Sequence, residues 1–136
     1  MTFKELIRTA IYNEMDDVTS FGEEAETFGG DPRVGEEMKA LFGKLADEKR
    51  ERLKELGKIF KEGTGFRQRA AAPARSLEAA LRTHVTRSEL TVRVYAGLLK
   101  ELNKPEFKEA VAAMLLRERE ETLAGVRRLQ AALKGS

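Results

Sequence analysis

Apolar residues recur along this chain at the three- and four-residue spacing that places them on one face of an α-helix. The pattern predicts four helices, at about 2–28, 32–61, 76–102 and 105–133. A Gly-Gly pair follows the first stripe, and Asp31 and Ser76 are suitable N-caps for the helices that come after them. Pro32 and Pro105 suit a first helical position. The 136 residues therefore predict one all-α domain, a four-helix bundle built from two helical hairpins.

The connection between the second and third helices is much longer than the other two. Residues 62–75 could extend over roughly 46 Å. A helix of about 30 residues is roughly 45 Å long, so this segment is long enough to cross the whole bundle. The sequence therefore predicts a long crossover at 62–75, with the second and third helices parallel to each other.

Each apolar stripe is interrupted near its middle. Continuing the spacing through the interruptions brings polar residues to one level of the predicted core, namely Glu14, Lys49, Arg52, His84, Ser88, Arg119 and Thr122. A buried charge is costly unless it is paired or bound to a metal. The pattern therefore predicts a polar layer that is either a site or the remnant of one.

The chain resembles the rubrerythrin branch of the ferritin-like superfamily. The resembling stretches are Ala10–Glu14 with Phe21, the pair Asp31-Pro32 and the segment Leu45–Leu53, with a fainter repeat around Tyr95, Pro105 and Leu115. The resemblance implies a ferritin-like four-helix bundle. In that family, one carboxylate from each of the first and third helices and a Glu-x-x-His pair from each of the others hold two iron ions.

At the matching positions this chain keeps a single ligand of the six. The family positions are occupied by Glu14, Lys49, Arg52, Ser88, Arg119 and Thr122. Three of these side chains are cations, which repel a metal ion. The resemblance therefore implies a degenerate di-iron site with no catalytic residues, no cofactor and no bound metal, in which the cations supply fixed positive charge beside Glu14. The leading hypothesis is a non-catalytic structural or interaction module.

The sequence also allows a second register, in which different faces of the second and fourth helices point into the core. Rotating the second and fourth helices by one residue would create an acidic metal site, consisting of Glu14, Glu48, Glu51, Glu118 and Glu121. The family's spacing from Pro105 leads to Glu118, whereas Val126 and Leu129 favour Arg119 as the inward residue. In this alternative the protein is an iron-binding oxidoreductase or iron-handling protein.

Composition narrows the possible classes of function, location and partner. Lys and Arg total 25 against 23 Asp and Glu, so the chain as a whole is not an electrostatic nucleic-acid binder. No apolar run approaches the roughly 20 residues of a membrane span, and there is no cysteine, so a cytoplasmic protein is expected. His84 and Tyr95 are interpreted as hydrogen-bonded core residues. The amphipathic first helix leaves room for a homodimer, which members of the superfamily often form.

Overall fold

The computed structural model describes residues 1–61 and 74–135, and within these the chain is helical with no strand. The elements are α1 (Phe3–Phe28), α2 (Gly35–Phe60), α3 (Leu77–Glu101), α4 (Pro105–Arg117), a π-helical turn (Glu118–Leu123) and α5 (Ala124–Lys134). The last three elements follow one another without a break and form the fourth helical rod. The prediction of an all-helical fold with four helices is therefore confirmed.

Two predicted helix starts have the expected chemistry. The Ser76 hydroxyl accepts a hydrogen bond from the Ala79 N–H at 3.1 Å, which satisfies one of the free donors at the start of α3. Pro105 is the first residue of α4, where its missing N–H costs nothing.

The start of α2 differs from the prediction. Asp31 and Pro32 belong to a turn, and α2 begins at Gly35. The Asp31 carboxylate accepts a hydrogen bond from the Arg33 N–H at 2.8 Å, and the Asp31 carbonyl accepts one from the Gly35 N–H at 2.8 Å. Asp31 therefore stabilises a turn that precedes the helix, because its carboxylate bonds a residue outside the helix.

The hydrophobic core consists of two clusters. In one cluster, Met38 and Phe42 of α2 pack with Leu77 and Leu81 of α3, so the first halves of both helices lie together. The second halves of the same helices meet in the other cluster, through residues that include Leu53, Leu56, Tyr95 and Leu98. The helices α2 and α3 therefore run in the same direction. Residues 62–73, which would form most of the predicted crossover, lie outside the described residues.

The other two rods run the opposite way. Ile7 and Ala10 of α1 belong to the cluster that holds the end of α2, whereas Phe21 belongs to the cluster that holds its start. Likewise Met114 of α4 lies in the cluster that holds the end of α2, and Val126 of α5 lies in the cluster that holds its start. The rods therefore place the middle of each helix at the same level, between the clusters. No helix in the described ranges has the length and apolarity needed to cross a membrane.

Candidate functional site

Polar side chains fill the level between the two apolar clusters. Of the residues that the stripe interruptions predict to face inward, six are buried, each at most 2% exposed: Glu14, Lys49, Arg52, His84, Ser88 and Thr122. Arg119 is different, because it lies on the exposed surface of the fourth rod. Glu118 takes the inward position beside it and is fully buried.

The π-helical turn explains why Glu118 and Thr122 both face the core. Met114, Glu118, Thr122 and Val126 are all buried, in three steps of four residues that total 12. Three turns of α-helix need only about 11 residues. The π-helical turn at Glu118–Leu123 accommodates the extra residue. The spacing from Pro105 and the spacing of Val126 are therefore both satisfied, on opposite sides of the turn.

Lys49 lies at the centre of the layer. Its Nζ is 2.9 Å from Glu14 Oε1, 2.9 Å from Asp17 Oδ2 and 2.8 Å from Glu118 Oε1, and its side chain is fully buried. The ammonium group donates hydrogen bonds to Glu14 and Glu118, and its contact with Asp17 is an ion pair. Burial alone would lower the pKa of Lys49, but the three carboxylates hold that pKa well above its usual value.

Arg52 links the same carboxylates to the edge of the layer. Its Nη1 donates a hydrogen bond to Glu118 Oε1 at 2.6 Å and lies 3.0 Å from Glu14 Oε2, an ion pair without hydrogen-bond geometry. Its Nε donates to Glu48 Oε2 at 2.9 Å, and its Nη2 donates to the other oxygen of Glu48. This bidentate pair orients the guanidinium group, which also lies 5.8 Å from the centroid of the Tyr95 ring.

Glu118 therefore joins three of the four rods. Besides the two cations of α2, it accepts a hydrogen bond from the Ser88 hydroxyl of α3. Burial would raise the pKa of Glu118, but Lys49 and Arg52 hold it below its ordinary value. Glu118 is thus an ionised carboxylate that accepts three hydrogen bonds.

A second group of ion pairs adjoins the first through Asp17. Arg87 Nη1 donates to Asp17 Oδ1 at 2.8 Å, and Lys49, His84 and Arg87 together overcome the effect of burial and hold the pKa of Asp17 well below its usual range. His84 Nε2 is 2.6 Å from Glu24 Oε1, while Nδ1 is 3.7 Å from Asp17 Oδ1, too far for a hydrogen bond. Burial would lower the pKa of His84, but the two carboxylates raise it. The predicted role of His84 as a hydrogen-bonded core residue agrees with these contacts.

Buried acidic and basic groups are nearly balanced in the layer. Among the groups that are at most 2% exposed, three are carboxyl groups (Glu14, Asp17, Glu118), two are fixed cations (Lys49, Arg52), and His84 is a third cation when it is protonated. Burial raises the pKa of Glu14 from 4.5 to about 7, against the lowering effects of Arg52 and Lys49. Glu14 is therefore the carboxyl that takes up a proton near neutral pH, and its protonation leaves Asp17 and Glu118 as the ionised carboxylates of the layer.

Three buried hydroxyl groups have no hydrogen-bond partner within the described ranges, those of Thr19, Tyr95 and Thr122. Tyr95 is fully buried, and burial together with the nearby Glu14 carboxyl raises its pKa well above the usual value. The sequence interpretation expected a partner for the Tyr95 hydroxyl, and the structure provides none among these residues.

The acidic alternative site is not assembled in this arrangement. Glu51 points away from the layer, with 73% of its side chain exposed, and pairs with Lys54. Glu121 is partly exposed, and Glu48 is occupied by Arg52. The described part of the chain contains no group of three or more His, Cys, Asp and Glu side chains arranged to hold a metal ion. Because Lys49 and Arg52 occupy the carboxylate oxygens of Glu14 and Glu118, the residues present do not fit a di-iron centre.

The chain matches no protein-family model, no curated protein and no solved structure. The geometry of the buried layer is thus the basis on which a function can be assigned.

Proposed function

We propose that this protein is a rubrerythrin-related four-helix bundle in which an ion-pair layer has replaced the di-iron centre, and that it acts as a non-catalytic structural or interaction module. In this proposal, Lys49 and Arg52 supply the positive charge that the two iron ions supply in the family. The carboxylates that remain serve to hold the helices together.

The contacts of Lys49 carry the proposal. Its Nζ lies within 2.9 Å of carboxylate oxygens on Glu14, Asp17 and Glu118. A metal ion requires the same oxygens as ligands, and it would have to displace a buried ammonium group to reach them. The fixed cation and a metal ion are therefore alternatives at this position.

Arg52 supports the same interpretation from a second direction. It takes the position of the family histidine in the Glu-x-x-His pair of the second helix, and a guanidinium group has no lone pair to donate to a metal. Its two contacts with Glu48 and its contact with Glu118 leave those oxygens unavailable as ligands. The metal-binding alternative would require α2 to rotate so that Glu51 faced inward.

Metal analysis of the purified protein tests the proposal. Protein prepared from an iron-rich culture should contain far less than one iron per chain, and it should lack the optical absorption of an oxo-bridged di-iron site. The matched control is the Glu14→Gln variant, which removes a candidate ligand and should have the same low metal content as the wild type. Two irons per chain in the wild type, lost in Glu14→Gln, would overturn the proposal.

A solution mass measurement addresses the interaction part of the proposal. Light scattering that gives twice the chain mass of 15.3 kDa would identify a second copy of the chain as the partner. Oxidase or peroxidase turnover by the purified protein would contradict the non-catalytic role.

A further inference from the structure

A groove lies at the end of the bundle where α3 begins and α5 ends. Its volume is about 610 Å³, which is within the range of roughly 300–1,000 Å³ found for small-molecule sites. Ala131, which is exposed, and Leu133, which is 8% exposed, form an apolar floor, and the fully buried Leu81 borders them. The groove lies on one side of the ion-pair layer, because Leu81 and Leu133 belong to the apolar cluster there.

The rim of this groove is strongly basic. Four cations line it, together with a single carboxylate: Arg33, Arg82, Arg127, Lys134 and Glu78. Arg33 is paired with Asp31 at 2.8 Å, and Arg127 lies 3.4 Å from Glu89. Arg82 and Lys134 form no ion pair with any residue in the described ranges, so two positive charges beside the apolar floor have no protein counter-charge there.

We propose that the groove binds a small monocarboxylate with an apolar tail. The carboxylate lies between Arg82 and Lys134, and the tail covers Ala131 and Leu133. A guanidinium group pairs with a carboxylate through two parallel hydrogen bonds, and the ammonium group adds a third donor. Burial of the tail supplies the hydrophobic part of the binding free energy.

The charges of the rim favour an anion over a neutral ligand. Glu78 is the only carboxylate among the described lining residues, and it is already paired with Arg33 at 3.3 Å. A neutral apolar ligand would leave the charges of Arg82 and Lys134 without a counter-ion. A carboxylate head supplies that counter-ion.

Calorimetric titration of the full chain with decanoate tests this proposal. We expect saturable binding of one decanoate per chain. Acetate carries the head without the tail, and 1-decanol carries the tail without the charge, so each should bind at least about tenfold more weakly, a difference of about 1.4 kcal/mol.

Substitutions on the rim and in the groove locate the site. The double variant Arg82→Gln with Lys134→Gln should weaken decanoate binding roughly five- to tenfold, because it removes two solvent-exposed charge contacts. The matched control is Arg93→Gln with Lys100→Gln, two exposed α3 cations that do not line the groove. This control should bind decanoate as the wild type does.

A second pair of variants tests the site without changing the cations of the rim. Ala131→Glu puts a carboxylate at an exposed helical position inside the groove and should weaken binding by more than about tenfold through like-charge repulsion. Ala112→Glu makes the same change at an exposed position on α4 outside the groove and should have no effect. Both variants should unfold at the wild-type temperature within a few degrees.

Several results would overturn the proposal. Absence of decanoate binding would do so, as would binding of 1-decanol as tight as that of decanoate, which would indicate an apolar site without anion selectivity. Equal losses in the groove variants and their controls would place the binding elsewhere. Retention on anionic phospholipid vesicles without binding of free decanoate would indicate a membrane contact in place of a small-molecule site.

Discussion

Replacing Lys49 with methionine should destabilise the protein far more than any surface lysine substitution. Methionine has nearly the length of lysine but no charge, so the variant fills the same space without the ammonium group. Its removal leaves the carboxylates of Glu14, Asp17 and Glu118 each without a contact of 2.8–2.9 Å. Asp17 would keep its pair with Arg87, whereas Glu14 and Glu118 would have Arg52 as their only cation in the described ranges.

The size of the effect follows from this uncompensated charge. Removing one partner of a buried ion pair costs about 3–5 kcal/mol, because the charge that remains is neither solvated nor paired. For a chain of this size, that loss lowers the midpoint of thermal unfolding by roughly 10–20 °C. The matched control is Lys54→Met, since Lys54 is 70% exposed and forms only a surface pair with Glu51. This control should cost less than about 1 kcal/mol.

Urea unfolding followed by circular dichroism measures the free energy of unfolding of both variants. A double variant tests whether the lost ion pairs cause the destabilisation. Glu14 has the raised pKa, so Glu14→Gln should restore part of the stability that Lys49→Met removes. The two substitutions should be non-additive by about 1–3 kcal/mol. If Lys49→Met costs no more than Lys54→Met, or if the two effects simply add, the ion pairs are not what stabilises this layer.

Three further predictions concern the protonation of Glu14, the binding of a metal ion and the unpaired hydroxyl of Tyr95. Burial raises the pKa of Glu14 from 4.5 to about 7, so its protonation stabilises the fold fully below pH 4.5, and this contribution is lost as the pH rises through 7. The free energy of unfolding should therefore fall by up to about 3 kcal/mol between about pH 5 and 8, and Glu14→Gln should flatten that decline, whereas an unchanged profile would contradict the assignment. The double variant Lys49→Glu with Arg52→His recreates a Glu-x-x-His pair and should retain Zn²⁺ after dialysis, as measured by elemental analysis, while Lys54→His, which makes the same pair on the exposed face, should not. Tyr95→Phe should change stability by less than about 1 kcal/mol in urea unfolding, since the hydroxyl has no partner in the described part of the chain, and a loss above about 2 kcal/mol would reveal one.

The sequence predicted most of this layer because α-helical periodicity is a strong local signal. The apolar stripe of α2 runs through Leu45 and Leu56, and continuing it places Lys49 and Arg52 inside, where the structure has them. The side chains that these cations contact were harder to predict. Asp17 lies one turn after Glu14, and its burial depends on Lys49 reaching it from α2, which no pattern within α1 indicates.

The position of Glu118 could not be predicted with an α-helical template. The spacing from Pro105 places Glu118 inward, whereas the spacing of Val126 and Leu129 places Arg119 inward. A regular α-helix can satisfy only one of these two spacings. The π-helical turn at Glu118–Leu123 satisfies both, but no glycine or proline marks it in the sequence. The turn lies where Lys49 and Arg52 meet Glu118, so tertiary ion pairs accompany the local distortion. A one-residue conflict between two strong spacings is thus a usable sign of a π-helical turn.

The ion-pair layer also affects the register in which the four rods align. Apolar side chains pack in many ways at similar free energy, so the clusters on each side of the layer tolerate small shifts between helices. Ion pairs are less permissive, and Lys49 of α2 contacts carboxylates from both α1 and the fourth rod at 2.8–2.9 Å. Sliding α2 by one residue moves its backbone about 1.5 Å along the axis and turns it about 100°, which breaks all three contacts together. A buried charged layer contributes little to net stability compared with apolar packing, but it penalises every wrong register, and this is the best-attested use of buried polar groups. The cations of α2 therefore align the rods through their contacts with Glu14, Asp17 and Glu118.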